Sequence, residues 1–294
     1  MALNLHLLRL FASVAQTGSF SRAADDLNVS QPAISRGVRD FELQVGCRLL
    51  DRGPRGVRVT REGEALLRYA KSLFAMERAA EEELRSLREL GEGILRIGAS
   101  TTIATYMIPS YLGSFYKAHP GVEISIVSAN TRAIATLLLE HAIDVALVEG
   151  PVDEPGIVSE AWLTDEMVLI TSPEHAFARE IEPVDTARLN AETFICREPG
   201  SGTREIVAEV LRNNGIRPVR SLEIGSTEAI KQLVASGLGV AITSAAAIRD
   251  QITLRTLIVV PIHRLRMERT LWRLSVPGRL ANPATIAFER LIQI

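Results

Sequence analysis

The chain has 294 residues, 47% of them hydrophobic, and a formal charge of −2. That is enough apolar mass for two or three domain cores, which excludes a disordered chain, and the charge argues against a general nucleic-acid coat protein. No run of 18 apolar residues occurs, and the amino terminus lacks a basic leader with a cleavage site, so a cytoplasmic protein with no membrane contact is expected. The two cysteines, Cys47 and Cys196, lie far apart, which points to reduced thiols and offers no metal-ligand spacing.

The charge is unevenly placed. Residues 1–60 hold eight Arg, no Lys and five acids, a balance of +3 that leaves −5 for the rest. An Arg-only basic head on an acidic body suits a DNA-binding module joined to a sensing or assembly module.

In chain order, Leu3, Leu7, Leu10, Phe11 and Val14 recur at helical spacing up to a breaker at Thr17-Gly18. The next stretch, SFSRAADDLNVSQPAISRGVR, reads as two short helices and a tight turn. Ser19 or Ser21 caps the first, whose Phe20, Ala23, Ala24 and Leu27 share one side, and Asn28 ends it. Ser30 caps the second, Pro32 sits where a helix tolerates it, and Ile34, Val38 and Phe41 form its buried stripe. Its other face carries Gln31, Pro32, Ser35, Arg36 and Arg39, amide, hydroxyl and guanidinium groups suited to base edges and phosphates. This is the layout of a helix-turn-helix. In DRGPRGVRVT, a turn at Gly53, Pro54 and Gly56 between two short extended segments adds a wing, with Arg52 and Arg55 suited to a phosphate or a narrow minor groove.

From Thr60 to about Leu90 a long helix is expected, with Leu66, Ala70, Leu73, Ala80, Leu84 and Leu87 on a rough heptad stripe that a second copy of the helix would cover. Gly91-Glu-Gly93 marks a boundary. Strand and helix then alternate: ILRIGA, a helix over about 102–117, VEISIVS, a helix over about 131–140, and DVALVE. After an extended crossing, IVSEAWLTDE, the pattern restarts with MVLITS, TFIC, a helix over 203–213, SLEI, a helix over 227–235, and GVAITS. ERTLWRLSV and a final helix from about Pro283 return to complete the first unit. The expected fold is therefore an N-terminal winged helix-turn-helix (1–60), a long dimerisation linker helix (61–90), and a body (91–294) of two α/β subdomains resembling periplasmic binding proteins. The first subdomain would take about 91–163 and 267–294, the second about 164–266, each with a parallel sheet.

In such sheets ligands bind outside the carboxyl ends of the strands, here in a cleft between the subdomains. Ser100, Thr101 and Thr102 follow the first strand, Ser128 and Asn130 the second, and Glu149 the third. From the second unit come Ser201, Gly202 and Thr203 at one helix start and Ser226 and Thr227 at another. Helix N-termini lined with hydroxyls and glycines favour an anion, although each such Ser or Thr serves equally as a simple cap. Glu149 would repel an anion unless protonated or turned away. GSGTR lacks the spacing and lysine of a Walker loop, so no nucleotide is expected. Cys196, in a strand just before that loop, packs in a core or acts as a redox-sensing thiol. The five histidines are scattered and no triad, metal motif or nucleophile elbow is present, so no enzyme and no cofactor are expected.

The chain resembles LysR-type transcriptional regulators over essentially its whole length. The carrying motifs are FASVAQTGSFSRAADDLNVSQPAISRGVRDFE with the wing VRVTREGEALL, and then REPGSGTREI, GSTEAIKQLVASGLGV and TLWRL. The latter set is similar to the branch that regulates sulfur assimilation and carbon fixation. Leu50 stands where the family usually has Phe, and Val45 where it often has Leu. The resemblance implies a double-stranded, roughly palindromic operator read by the head, and a small oxyanion or organic acid as effector. It also implies a homodimer, paired into a tetramer that bends promoter DNA and contacts RNA polymerase. A solute-binding protein or anion sensor that does not act on DNA is the rival for residues 93–294; the missing leader and the basic head speak against it.

Overall fold

Asn4 starts the first helix, α1 (Leu5–Thr17), its side chain accepting from the backbone N–H groups of His6 and Leu7. The structure is a computed structural model describing residues 3–53, 56–88 and 93–293, and it divides into two units, 1–81 and 82–294. In the first unit, α2 (Phe20–Asp26) is capped by Ser19 and α3 (Gln31–Val45) by Ser30, with Pro32 in the first turn of α3. Gly18 and Gly46 close α1 and α3 in the left-handed conformation, at φ 63° and 75°, where a side chain would be strained. Phe11, Ile34, Val38 and Phe41 are fully buried between these helices, and the Phe11 and Phe41 rings lie 6.2 Å apart. Each large side chain so buried contributes about 1.5–3 kcal/mol. A Cβ at Gly37 would come within 2.4 Å of Leu10 Cδ1, so α1 and α3 cross where α3 has no side chain.

The wing is an antiparallel ribbon of β1 (Leu50–Gly53) and β2 (Gly56–Val59), with Leu50 opposite Val59. Leu50 is buried in the head core and Val45 packs at its edge, so both departures from the family pattern are accommodated. Helix α4 (Arg61–Arg88) follows. A Cβ at its Gly63 would lie 2.2 Å from the Leu49 carbonyl oxygen, so only glycine fits there. The expected apolar stripe of this helix splits in two. Ala70 and Phe74, with Leu66, face the head core, while Tyr69, Leu73, Met76, Ala80 and Leu84 are exposed. The side chain of Leu87 and residues 89–92 lie outside the described part.

The second unit opens with β3 (Gly93–Ser100), α5 (Thr101–Tyr106), α6 (Ile108–Ala118), β4 (Val122–Ala129), α7 (Thr131–Leu139) and β5 (Val145–Val148). The single helix expected over 102–117 is thus two. Pro109, in the first turn of α6, has no N–H to continue the α5 ladder. Next comes β6 (Val158–Thr171), one continuous strand where the sequence reading has a crossing segment and then a new strand. It is followed by β7 (Thr193–Cys196), α8 (Gly202–Asn213), β8 (Arg220–Glu223), α9 (Thr227–Ala235) and β9 (Ala241–Ser244). The chain closes with α10 (Arg249–Thr253) and β10 (Ile258–Val260), neither foreseen, then β11 (Met267–Ser275) and α11 (Pro283–Leu291).

The main sheet runs β10-β6-β11-β5-β3-β4, with β9 also on β6. β3, β4 and β5 are parallel, as are β7 and β8, but β6 is antiparallel to β9, β10 and β11. The sheet is therefore mixed and not wholly parallel, because β6 and β11 run through both lobes in opposite directions. β11 completes the first lobe as expected: Trp272 lies opposite Val148, and Phe288 of α11 meets Phe115 edge-on at 5.6 Å. Both faces of each lobe are covered. Leu95, Ile97 and Phe288 fill one side of the first lobe, and Ile134, Leu138 and Val148 the other. Phe194, Leu169 and Val207 fill one side of the second lobe, and Ile170, Ile195 and Ile230 the other. Burial on both faces is why these strands read as apolar runs.

Candidate functional site

On α3 the residues at 31, 32, 35, 36 and 39 share one face by their spacing of four. Ser30 Oγ accepts from the Ala33 N–H at 3.4 Å, so its side chain is engaged as a cap. Gln31, Pro32, Arg36 and Arg39 are exposed, and Ser35 is half-buried. Neither Arg36 nor Arg39 pairs with an acid among the described residues, while Arg22 is held by the Thr17 carbonyl at the end of α1. An exposed row of unneutralised guanidiniums beside a helix N-terminus suits a phosphate backbone and base edges. Arg52 lies in β1 opposite Val57; Arg55 lies outside the described residues.

The second candidate site lies in the body, between its lobes. Register places it: β11 is antiparallel to β5 with Trp272 opposite Val148, so Arg269 lies past the carboxyl end of β5. Arg269 is 4% exposed, and in the two crossing strands it pairs with Asp165. Its Nε donates to Asp165 Oδ2 at 2.8 Å, and its Nη1 donates to Thr203 Oγ1, in the first turn of α8, at 2.8 Å. Ser244 Oγ donates to the other Asp165 oxygen at 2.8 Å. Among the described residues, buried Arg269 Nη2 has no acceptor and Ser100 Oγ, at the end of β3, is likewise buried without a partner. A buried donor left unsatisfied destabilises a fold by about 1–3 kcal/mol, so each of these atoms has an open place for a partner.

Around this floor the expected residues sort into two groups. Ser100, Thr102, Glu149, Ser201, Gly202, Thr203 and Thr227 are buried, whereas Thr101, Asn130 and Ser226 are half-buried and Ser128 is exposed on the edge strand β4. Ser226 and Asn130 act as caps, accepting from the Ala229 and Ala133 N–H groups. Ser100 and Ser201 occupy cap positions without bonding the helix through their side chains. Thr227 Oγ1 accepts from Arg197 Nη1 at 3.0 Å, and Arg197 also grips Glu198 through two hydrogen bonds. Burial pulls the Glu198 carboxyl upward, but hydrogen bonds from Arg197, its own backbone and Asn130, with the Arg197 charge, outweigh it and hold its pKa below the ordinary value. Cys196 packs at the edge of the second lobe's core, with Ser221 Oγ 3.7 Å from its sulfur.

The lobes touch at two rims. At one, Arg132 N–H donates to the Gly200 carbonyl and Asn130 Nδ2 to Glu198 Oε1. A Cβ on Gly202 would lie 2.8 Å from Thr131 Oγ1 and 3.0 Å from Glu149 Cβ, so glycine lets α8 abut the first lobe. At the other rim, Tyr106 of α5 donates to Glu228 of α9, and buried Lys231 Nζ donates to Tyr106 Oη at 3.0 Å and the Ala247 carbonyl at 2.8 Å. Lys231 also pairs with Glu228 at 2.6 Å. Burial and the neighbouring Glu228 push the Tyr106 hydroxyl above its ordinary 10.0. Burial raises the Glu228 carboxyl too, yet the hydrogen bonds from Lys231 and Tyr106 and the Lys231 charge hold it below 4.5.

Sequence reading missed Arg269, Asp165, Arg197 and Lys231. A signal existed for the first two: Arg269 shares strand parity with buried Met267 and Leu271, and Asp165 with buried Met167. A charge on the apolar face of a strand is buried, and a buried charge needs a partner.

An outward-facing reading helix with a wing, and a two-lobed α/β body with buried polar groups between its lobes, define a DNA-binding regulator with a small-molecule domain. Residues 5–64 match the family model described as "Bacterial regulatory helix-turn-helix protein, lysR family", and residues 88–293 match "LysR substrate binding domain". The chain belongs to the LysR family of DNA-binding transcriptional regulators. Among its relatives is the HTH-type transcriptional regulator YeiE of Escherichia coli K12, 36% identical over 93% of this chain and 92% of YeiE. A probable RuBisCO transcriptional regulator of Cyanidioschyzon merolae is 33% identical over 97% of this chain and 95% of its own. A full-length OxyR variant of Pseudomonas aeruginosa shares the fold, with TM-score 0.76, 24% identity, and coverage of 100% and 94% of the two chains. The Synechocystis PCC6803 CcmR regulatory domain, in complex with 2-PG, has TM-score 0.63 and 29% identity over 69% of this chain and 97% of that one.

Proposed function

We propose that this regulator senses a small oxyanion or organic acid held between the lobes of its body, and that the bound anion alters how the head engages its operator. The observation that carries this reading is Arg269: a buried guanidinium with Nη2 unsatisfied, beside Thr203 and the first turn of α8, past the carboxyl end of β5. Ser100, Thr102, Ser201, Gly202, Thr203 and Thr227 would line the anion closely, with Thr101, Ser128, Asn130 and Ser226 further out. The CcmR regulatory domain, solved with 2-PG, supports an organic anion over a bare inorganic ion. The anion acts only through a preference for one arrangement of the protein over another, since equal affinity for both would shift nothing.

In the head, Gln31, Ser35 and Arg36 take base edges or nearby phosphates, Ser30, Pro32 and Arg39 flank them, and Arg52 and Arg55 serve the wing. The functional boundaries are 1–60 for the head, 61–90 for the linker and 91–294 for the body. The exposed row Tyr69, Leu73, Met76, Ala80 and Leu84 on α4 falls at spacings of four, three, four and four, which supports pairing with the same helix of a second copy. Such dimers pair again on a palindromic operator, in contact with RNA polymerase, in the cytoplasm. No helix among the described residues is long and apolar enough to cross a membrane.

Calorimetry of the full chain against sulfate, thiosulfate, phosphate and 2-phosphoglycolate tests the cleft. Thr102→Ala and Thr203→Val should each weaken the ligand that binds by about tenfold, the worth of one hydrogen bond to a charged group. Operator affinity without ligand should not change. Wild-type ligand affinity in both variants would remove the cleft from the reading.

A further inference from the structure

Glu149 is out of place in a site for anions. It follows β5, is 2% exposed, and its one hydrogen bond among the described residues comes from Thr131 Oγ1 at 3.4 Å. It makes no ion pair with a described Lys or Arg. No helix N–H caps it either, although a Cβ at Gly202, the first residue of α8, would lie 3.0 Å from Glu149 Cβ. A carboxyl group withdrawn from water with its lone pairs almost unused is costly, and folds keep such groups where a ligand or cation will use them. The same cleft holds the opposite surplus, donors without acceptors: Ser100 Oγ and Arg269 Nη2, both on residues more than nine-tenths buried.

One ligand satisfies both sets if it is an anion at one end and a hydrogen-bond donor at the other. We infer that the cleft selects an oxyanion carrying its own proton or hydroxyl group, with Glu149 as the acceptor that reads that donor and Arg269 and Ser100 facing the anionic oxygens. The inference rests on the cleft being the effector site. Sulfate in neutral water has only lone pairs, so it brings no hydrogen for the Glu149 oxygens to accept. Hydrogenphosphate has nearly the same shape and keeps one P–OH. Among carboxylates the same distinction separates a hydroxy acid from the acid without the hydroxyl. A site built to hydrogen-bond a ligand hydroxyl rejects the analogue lacking it far more strongly than a site that recognises bulk alone.

The test is calorimetry on the full chain with inorganic phosphate against sulfate, and lactate against propionate, near neutral pH. The donor-bearing member of a pair should bind at least about tenfold more tightly. Glu149→Gln keeps the side-chain volume but adds an amide donor, and should bring the two members of the pair to within about threefold, mainly by improving the one without a donor. Its melting temperature without ligand checks that the variant is folded. If sulfate binds the wild type as well as phosphate does, and propionate as well as lactate, the selectivity is wrong while the cleft stands. If the ratio persists in folded Glu149→Gln, Glu149 is not the reader and the inference is overturned. If no member of either pair binds, or if Thr203→Val leaves the binding of all four unchanged, the cleft reading itself falls and takes this inference with it.

Discussion

The reading helix and the cleft treat polar side chains in opposite ways. On α3 the candidate residues fall within ten positions of sequence, and the guanidiniums of Arg36 and Arg39 are exposed, to be hydrated until another surface replaces the water. At the floor of the cleft the polar groups are buried and come from elements as far apart as β3 and β11, and Arg269 reaches Asp165 across 104 residues. An outward site can lose one side chain without disturbing its scaffold. An inward site is part of its scaffold, and function and stability there are read from the same atoms.

The sharpest way to break this contrast is Asp165→Ala. It leaves the Arg269 guanidinium buried without its counter-charge and should lower stability by about 3–5 kcal/mol, read from urea unfolding followed in the body. A loss below about 1 kcal/mol would mean that water reaches the cleft floor and that the two sites do not differ in kind. Arg36→Ala is the counterpart in the head. It should weaken operator binding by about 1–3 kcal/mol in a gel-shift titration and leave the melting temperature unchanged. Wild-type operator affinity would take Arg36 out of the reading row.

A smaller effect belongs to the rim at Tyr106, Glu228 and Lys231. The folded-state pKa of Glu228 lies below its ordinary 4.5, so its stabilising contribution is complete above that value and is lost as pH falls from 4.5 through the lowered one. Melting temperature should decline over that window, and Glu228→Gln should flatten part of the decline. Glu198, lowered in the same direction, supplies some of the remainder. A variant with the same acid profile as the wild type would show that this rim contributes no pH dependence.

The same contrast explains what could be read from the sequence. The head was legible because caps, breakers and apolar spacing act within a few residues: Ser19, Ser30, Gly18 and Gly46 sit where a helix start or stop needs them. The strands of the body were legible as apolar runs, since both faces are covered. The break between α5 and α6 was available at Pro109, which the expectation of one helix over 102–117 left out. The linker stripe was misplaced because the helix carries two apolar faces, so a single row of leucines describes neither the Ala70 and Phe74 face nor the exposed one. In the cleft, hydroxyls at strand and helix junctions could be named from a general rule about α/β sheets. Which of them are buried depends on how the two lobes meet, a closeness that the structure shows at Gly202. Arg269 and Asp165 stayed hidden because a pair so distant in sequence leaves no local pattern beyond strand parity.

The two crossing strands have a mechanical consequence. β6 and β11 share one ladder of hydrogen bonds from Val158 to Met167, and β6 itself passes unbroken into the second lobe. Prising the lobes apart would strain that ladder along its length, whereas rotating one against the other about the strand axis mainly adds to a twist the sheet already has. The register shift between Leu271 and Trp272 interrupts the regular pairing, so torsion gathers there more readily than elsewhere in the ladder. A body threaded on two such strands should therefore yield to a turn of one lobe against the other before it yields to their separation.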